Sequence, residues 1–250
     1  MKGVHDLFSN GSEIYVRARP QYPKALYANL IEYCDETNEA WDCACGNGQA
    51  AINLADYFDH VEATDIGNDQ IANSISHPKI RYSVSPAEDT TFRNNQFDLV
   101  VVAQALHWFE HDRFWAELVR VLKPGGMFAA WGYSWFKIEP EIDKAIVENF
   151  LEIIAPYWAP QNRLLWDQYR DVDIPLRKID LPSPEMVVTW DLEELFAYLH
   201  TWSATRRCMD GIGSEFFYDA FDKLQPLWGD VHLKRKVTMD FCLVASKNDR

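Results

Sequence analysis

Between Asp42 and Gly48 the chain reads Asp-Cys-Ala-Cys-Gly-Asn-Gly. A glycine-rich turn between a strand and a helix gathers backbone N–H groups at the helix N-terminus, a natural site for an anionic or polar ligand group. Two spacings compete here. The dinucleotide fingerprint G-x-G-x-x-G meets Ala44, Gly46 and Gln49, one fit in three. The spacing D-x-G-x-G-x-G meets Asp42, Ala44, Gly46 and Gly48, three fits in four. A second acid, Asp65, stands 17 residues past Gly48 at the end of a second strand, where a carboxylate can accept both hydroxyls of a ribose. Taken alone, Asp65 equally suits a helix N-cap. His107 follows a fourth strand and reads two ways: a base near neutral pH, or a structural histidine packed beside Trp108. Cys43 and Cys45 are too close for zinc-ligand spacing and no second pair completes a site, so they read as small fillers and no metal is expected.

The elements that must position these residues alternate. Ala40–Ala44, Val61–Asp65, Ile80–Val84, Phe97–Ala103 and Met127–Trp131 read as strands. Lys24–Cys34, Gln49–Phe58, Asp69–Ser76 and His111–Leu122 read as helices, the last stopped by Lys123-Pro124-Gly125-Gly126. The strand Phe97–Ala103, with its run of β-branched valines Val100–Val102, has the pattern of a strand covered on both faces. Such alternation predicts parallel βαβ units with right-handed crossovers and a ligand crevice beyond the carboxyl ends of the strands. That rim carries Gly46, Asp65, Ala87, Ala103 and Gln104.

After Trp131 the chain turns aromatic and mostly helical, with strand candidates at Met186–Trp190 and Val237–Ala245. The fold expected is therefore α/β: a Rossmann-like, doubly wound, mostly parallel seven-stranded sheet with an aromatic-rich helical insertion after the fifth strand. The segments expected are a helical cap over 1–35, a core of 36–133 plus 233–250, and an insertion over 134–232. Nine of the ten tryptophans lie at or after position 108. Trp131, Trp135, Trp166, Tyr169 and Trp202 are the candidates for the wall of a substrate chamber, and a satellite core explains the same residues.

The formal charge of −14 argues against nucleic acid and anionic membranes, because affinity for phosphate backbones comes from Lys and Arg releasing counterions. No apolar stretch suits a membrane span. The odd count of five cysteines and the absence of a leader at the start shown point to a reducing, cytoplasmic setting, with a monomer or homodimer both open.

Six motifs in order resemble the class I S-adenosylmethionine-dependent methyltransferases, in the type 11, trans-aconitate methyltransferase-like small-molecule branch. They are Asp42–Gln49, Ala63-Thr64-Asp65-Ile66, Pro86-Ala87-Glu88-Asp89, Phe97–Val101, Ala103–Phe109 and Val121–Gly126. Arg19–Pro23 and Thr201–Ala204 also match that branch, so the resemblance spans nearly the whole chain.

What the resemblance implies is S-adenosyl-L-methionine as methyl donor and a small molecule as acceptor. Gly46 and Gly48 would let backbone approach the methionyl part, and Ala103 and Gln104 would line it. Asp65 would hold the ribose, Ile66 would pack on the adenine, and Ala87 and Glu88 would read its edge. Tyr15 and Arg19 would close over the cofactor, with Arg19 meeting its carboxylate. Asp42, Ala44, Asn47 and Trp108 complete the implied cofactor set. Ala44 replaces the first glycine of the family's turn, which is tolerable if its φ stays negative. His107 would serve as base or as acceptor orienter. A methyltransferase acting on protein or nucleic acid, and a binding protein without catalysis, are the competing readings.

Overall fold

The computed structural model describes residues 19–250. Its strands are β1 (Glu39–Cys43), β2 (His60–Asp65), β3 (Ile80–Val84), β4 (Phe97–Ala103), β5 (Leu122–Lys137), β6 (Arg177–Ile179), β7 (Met186–Trp190) and β8 (Arg235–Lys247). Among the described residues they form one eight-stranded sheet in the order β3-β2-β1-β4-β5-β8-β6, with β7 pairing off β8. The five strands from β3 to β5 run parallel, while β6 and β7 are antiparallel to β8. The mostly parallel α/β sheet expected from the sequence is present, with one short strand more than expected.

The helices are α1 (Lys24–Ile31), α2 (Gln49–Leu54), α3 (Asn68–Ala72), α4 (His111–Val121), α5 (Pro140–Ile146), α6 (Asn162–Trp166), α7 (Leu192–His200), α8 (Ser203–Ile212) and α9 (Glu215–Trp228). α5 runs on through one wide turn, Val147–Leu151. α7 opens with a capping box, in which Asp191 accepts from the Glu194 N–H at 2.9 Å and Glu194 from the Asp191 N–H at 3.0 Å.

The chain divides into two compact units. One comprises Tyr22–Ser134, Arg163–Glu185 and Phe241–Arg250 and carries the parallel strands. Trp41, Phe97, Val100, Val102, Phe114, Leu118 and Phe128 form its core. β4 is buried along its length up to Val102 and only Ala103 emerges, as its apolar run requires. The other unit holds Trp135–Asn162 and Met186–Asp240, with an aromatic core of Phe150, Phe196, Phe217 and Phe221. Residues 163–185, placed by sequence in the insertion, belong instead with the sheet unit: β6 pairs the end of β8 from Arg177↔Lys247 to Ile179↔Ala245.

Asp98, the second residue of β4, ties together the chain around the strand starts. One oxygen accepts from the Asn38 and Glu39 N–H groups at 3.0 and 2.8 Å, and the other meets Lys123 Nζ at 2.5 Å.

Candidate active site

Register brings the site residues to one rim. Cys43 pairs Thr64 on one side and Val102 on the other, and Ala103 pairs Trp131. The carboxyl ends of β1, β2 and β4 therefore finish nearly level, so the turns that follow them share one edge of the sheet, while β5 runs on to Lys137.

The turn after β1 is tight. Ala44, Gly46 and Gly48 all adopt left-handed backbone, with φ of 56°, 55° and 91°. The condition set for Ala44 is not met: a methyl group sits where the family has glycine, at a cost of roughly 1–2 kcal/mol. The neighbouring interactions hold it there, with Cys45 N–H donating to Thr64 O at 2.8 Å and Gly48 N–H to Cys45 O at 2.9 Å. Among the described residues, a Cβ at Gly46 would meet only Gln70 Oε1, at 3.7 Å, so none of them fills the space over this residue. At Gly48 a Cβ would lie 2.2 Å from the Tyr82 hydroxyl, which donates to Ile75 O at 2.9 Å. Gly48 thus makes room for Tyr82, while Gly46 leaves room for something else.

Asp65 clamps this turn. Its Oδ2 accepts from Gly46 N–H at 2.9 Å and its Oδ1 from Gly67 N–H at 2.8 Å. Each carboxylate oxygen keeps a further lone pair for hydroxyl donors. Next to it Ile66 is 77% exposed, a large apolar face at the end of β2. Asp42 lies beneath the turn, fully buried, with Oδ2 accepting from Ala51 N–H in α2 at 2.8 Å. Its Oδ1 has no partner among the described residues. Burial, with the charge of Asp65 adding to it, raises the Asp42 carboxyl to about 7 against the lowering effect of the Ala51 N–H. Burial likewise pushes the thiols of Cys43 and Cys45 upward, away from reactive thiolate.

Beyond β3, Ala87 is buried and Glu88 half-buried. Glu88 Oε1 accepts the Glu110 N–H at 3.1 Å, at the start of α4. Beyond β4, Gln104 takes left-handed backbone, φ 60°, and its amide clamps β5: Nε2 donates to Tyr133 O at 2.9 Å and Oε1 accepts from Tyr133 N–H at 3.3 Å. Sequence reasoning missed the partner that allows this. A Cβ on Gly132 would lie 2.5 Å from Leu165 Cδ1 and 2.6 Å from Gln104 Oε1. A glycine inside a strand was the available signal, because it marks a close approach.

Leu106, His107 and Trp108 form a single 3₁₀ turn. His107 is buried, and its Nδ1 lies 3.1 Å from the Tyr169 hydroxyl. Burial lowers its pKa to about 4, so the ring is neutral at physiological pH. Trp108, tilted against it at 4.9 Å, is 47% exposed.

The expected acceptor residues separate. Trp131 is fully buried, its ring edge-to-face with Tyr22 at 5.6 Å and Tyr27 at 6.0 Å, so it offers no open surface and reads as core. Tyr169 is buried too, on His107, and Trp166 is half-buried. In the helical unit Trp135, Trp158 and Trp202 meet one another at 6.0, 6.0 and 5.4 Å, and Trp202, packed also on Tyr198, is core. Arg19 Nη2 donates to Thr201 O at 3.5 Å in that same unit. Tyr15 lies outside the described residues.

A doubly wound sheet with a glycine turn after β1 and an acid ending β2 defines the class of open α/β proteins whose ligands bind beyond the carboxyl ends of the strands. Similarity to known proteins narrows the class. Residues 41–130 match the methyltransferase domain family. A methyltransferase-family protein of Dictyostelium discoideum is 31% identical over 202 residues, 79% of this chain and 77% of that one. An S-adenosylmethionine-dependent methyltransferase-family protein of Saccharomyces cerevisiae is 26% identical over 203 residues, 69% and 68% of the two chains. The solved structure of a type II methyltransferase-family protein from Anaeromyxobacter dehalogenans superposes with a TM-score of 0.85 at 35% identity, covering 92% of this chain and 97% of that one. The chain belongs to the class I S-adenosylmethionine-dependent methyltransferases.

Proposed function

We propose that the protein transfers the methyl group of S-adenosylmethionine to a small-molecule acceptor, and that the rim described above holds the donor. The observation that carries this reading is the arrangement at the end of β2. Asp65 keeps lone pairs unused by the described residues, Ile66 stands 77% exposed next to it in sequence, and no described residue fills the space over Gly46, whose N–H Asp65 holds. Those three features match a ribose, a flat apolar base and a polar chain approaching backbone, so the residues present fit the cofactor.

The roles follow residue by residue. Asp65 accepts from the ribose hydroxyls, and Ile66 packs on the adenine while Ala87 and Glu88 read its edge. Gly46, Asn47 and Gly48 present backbone to the methionyl part, which Ala103 and Gln104 line, and Asp42 braces the turn from below. Trp108 offers an exposed aromatic face, a favourable neighbour for a sulfonium charge. When bound, S-adenosylmethionine supplies an electrophilic methyl group that an acceptor nucleophile takes by direct in-line displacement. The chain's own contribution is proximity and orientation, worth up to about 7–11 kcal/mol in favourable cases. His107, neutral and held by Tyr169, acts as an orienter of the acceptor. The net charge of −14 favours a small acceptor over a polyanion.

Thermal melting with S-adenosylmethionine and S-adenosylhomocysteine tests the donor site. At a hundredfold excess over Kd the gain is about 2.7 kcal/mol, on the order of 5–10 °C in Tm for a chain of this size. Asp65→Ala should abolish the shift. No shift with either compound at millimolar concentration overturns the assignment. Incubation with small-molecule extracts should then give a cofactor-dependent mass gain of one methylene in the true acceptor. Gain on protein or nucleic acid alone would favour a macromolecular acceptor.

A further inference from the structure

The pair His107–Tyr169 carries more than packing. The Tyr169 hydroxyl lies 3.1 Å from His107 Nδ1, and the two rings stack at 6.3 Å with an interplanar angle of 25°. Both side chains are buried, His107 at 5% and Tyr169 at 2% exposure. The backbone that delivers Tyr169 is strained: Gln168 and Tyr169 both take left-handed conformations, with φ of 57° and 55°. Two consecutive non-glycine residues hold that conformation only where the surroundings over-determine it, and such strain gathers at functional positions. Here the Tyr169 N–H donates to Leu164 O at 2.8 Å, and the side chain packs in the core of the sheet unit with Leu165 and Cys242.

Proton bookkeeping decides which atom donates. A neutral imidazole holds one proton, on Nδ1 or on Nε2. If Nδ1 held it, it would donate to the Tyr169 oxygen and leave the phenolic proton with no acceptor among the described residues. A buried donor left unmade is costly. If Nε2 holds it, Tyr169 donates to Nδ1, and the proton left without a protein partner is Nε2–H, on an atom that is not among the buried ones lacking a partner and so can meet water or a ligand. We propose that Tyr169 is a positioning residue: its hydroxyl donates to His107 Nδ1 and fixes the imidazole as the Nε2–H tautomer, a hydrogen-bond donor rather than a base. This rests on the reading of His107 as acceptor orienter and sharpens it. The acceptor atom then carries a lone pair for Nε2–H, and its nucleophile must arrive already deprotonated or lose its proton elsewhere.

Nitrogen-15 spectroscopy of the ligand-free protein at pH 7 tests this directly and needs no acceptor. His107 is resolved from the other six histidines by correlation to its own backbone. The expected result is a pyrrole-like Nε2 and a pyridine-like Nδ1 in a ratio of about ten to one or more, the preference an unpaired buried donor implies. In Tyr169→Phe the ratio should fall several-fold toward an even mixture. A protonated Nδ1, a charged ring at pH 7, an even mixture in the wild type, or a ratio unmoved in Tyr169→Phe would overturn the proposal. If the variant fails to fold, the wild-type spectrum decides alone. The melting shift with S-adenosylhomocysteine, measured separately, shows whether the donor site itself stands.

Discussion

Asp42 and His107 are both buried, yet burial moves them in opposite directions along the pH scale. The Asp42 carboxyl rises to about 7, so between about pH 4 and 7 the native chain keeps a proton that the unfolded chain releases. Its stabilising contribution is therefore full at low pH and is lost as pH rises through 7. His107 falls to about 4, so between about pH 4 and 6.5 the unfolded chain binds a proton that the native chain refuses. That contribution is present above pH 6.5 and is lost as pH falls toward 4. The two limbs offset one another, and removing one exposes the other. Asp42→Asn keeps an acceptor for the Ala51 N–H and removes the charge. Its stability relative to wild type should climb by on the order of 1–3 kcal/mol between pH 5 and pH 7.5, measured by denaturant unfolding across that range. Parallel curves for the two proteins would show that Asp42 is not buried as described. The sequence marked Asp42 as part of a turn motif but could not show its charge state, which depends on the strands and helix packed around it. Ala44 illustrates the same limit: its identity was visible, and its φ of 56° was set by hydrogen bonds to Thr64 and within the turn.

Secondary elements were legible where periodicity is local. β3, β4 and β7 fall where the sequence placed them, because apolar or alternating runs bounded by turns declare themselves. β6 was invisible: Arg177-Lys178-Ile179 is three residues with two charges, and it is a strand only because the end of β8 offers it partners. Helices came out shorter than expected, α2 stopping at Leu54 and α3 at Ala72, where turns begin before the apolar pattern ends. The rim was legible as a list of residues, whereas the clamp from β4 to β5 was not. That clamp depends on Gly132, since a Cβ there would strike Leu165 and Gln104 at once. Gly132→Ala should therefore cost about 1–3 kcal/mol through overpacking. It should also weaken cofactor binding, because the amide of Gln104 must leave Tyr133. Paired melting and calorimetric titration with S-adenosylhomocysteine check this. Unchanged affinity in a folded variant would mean that the Gln104 clamp has no part in holding the donor.

At the scale of the whole chain, the proposed cofactor residues lie in one compact unit, while the ten tryptophans divide evenly, with Trp41, Trp108, Trp115, Trp131 and Trp166 in that same unit. The Gly46 turn, Asp65, Ile66, Ala87, Gln104 and Trp108 all fall in the unit of Tyr22–Ser134, Arg163–Glu185 and Phe241–Arg250. Trp135, Trp158, Trp190, Trp202 and Trp228 fall in the other. None of the described helices is long and apolar enough to cross a membrane. A ligand stabilises the state it binds, and local openings that break its contacts are suppressed most. Amide hydrogen exchange should register that asymmetry. With saturating S-adenosylhomocysteine, protection at short exchange times should rise at 44–49, 65–67, 85–88 and 103–108. It should stay level across 192–228, where α7, α8 and α9 lie. An acceptor, added with the same product, should then extend protection to whichever tryptophan-bearing segments contact it, and so mark the acceptor wall directly. A rise confined to 192–228 with S-adenosylhomocysteine alone would place the donor away from the glycine turn and overturn the residue roles argued above.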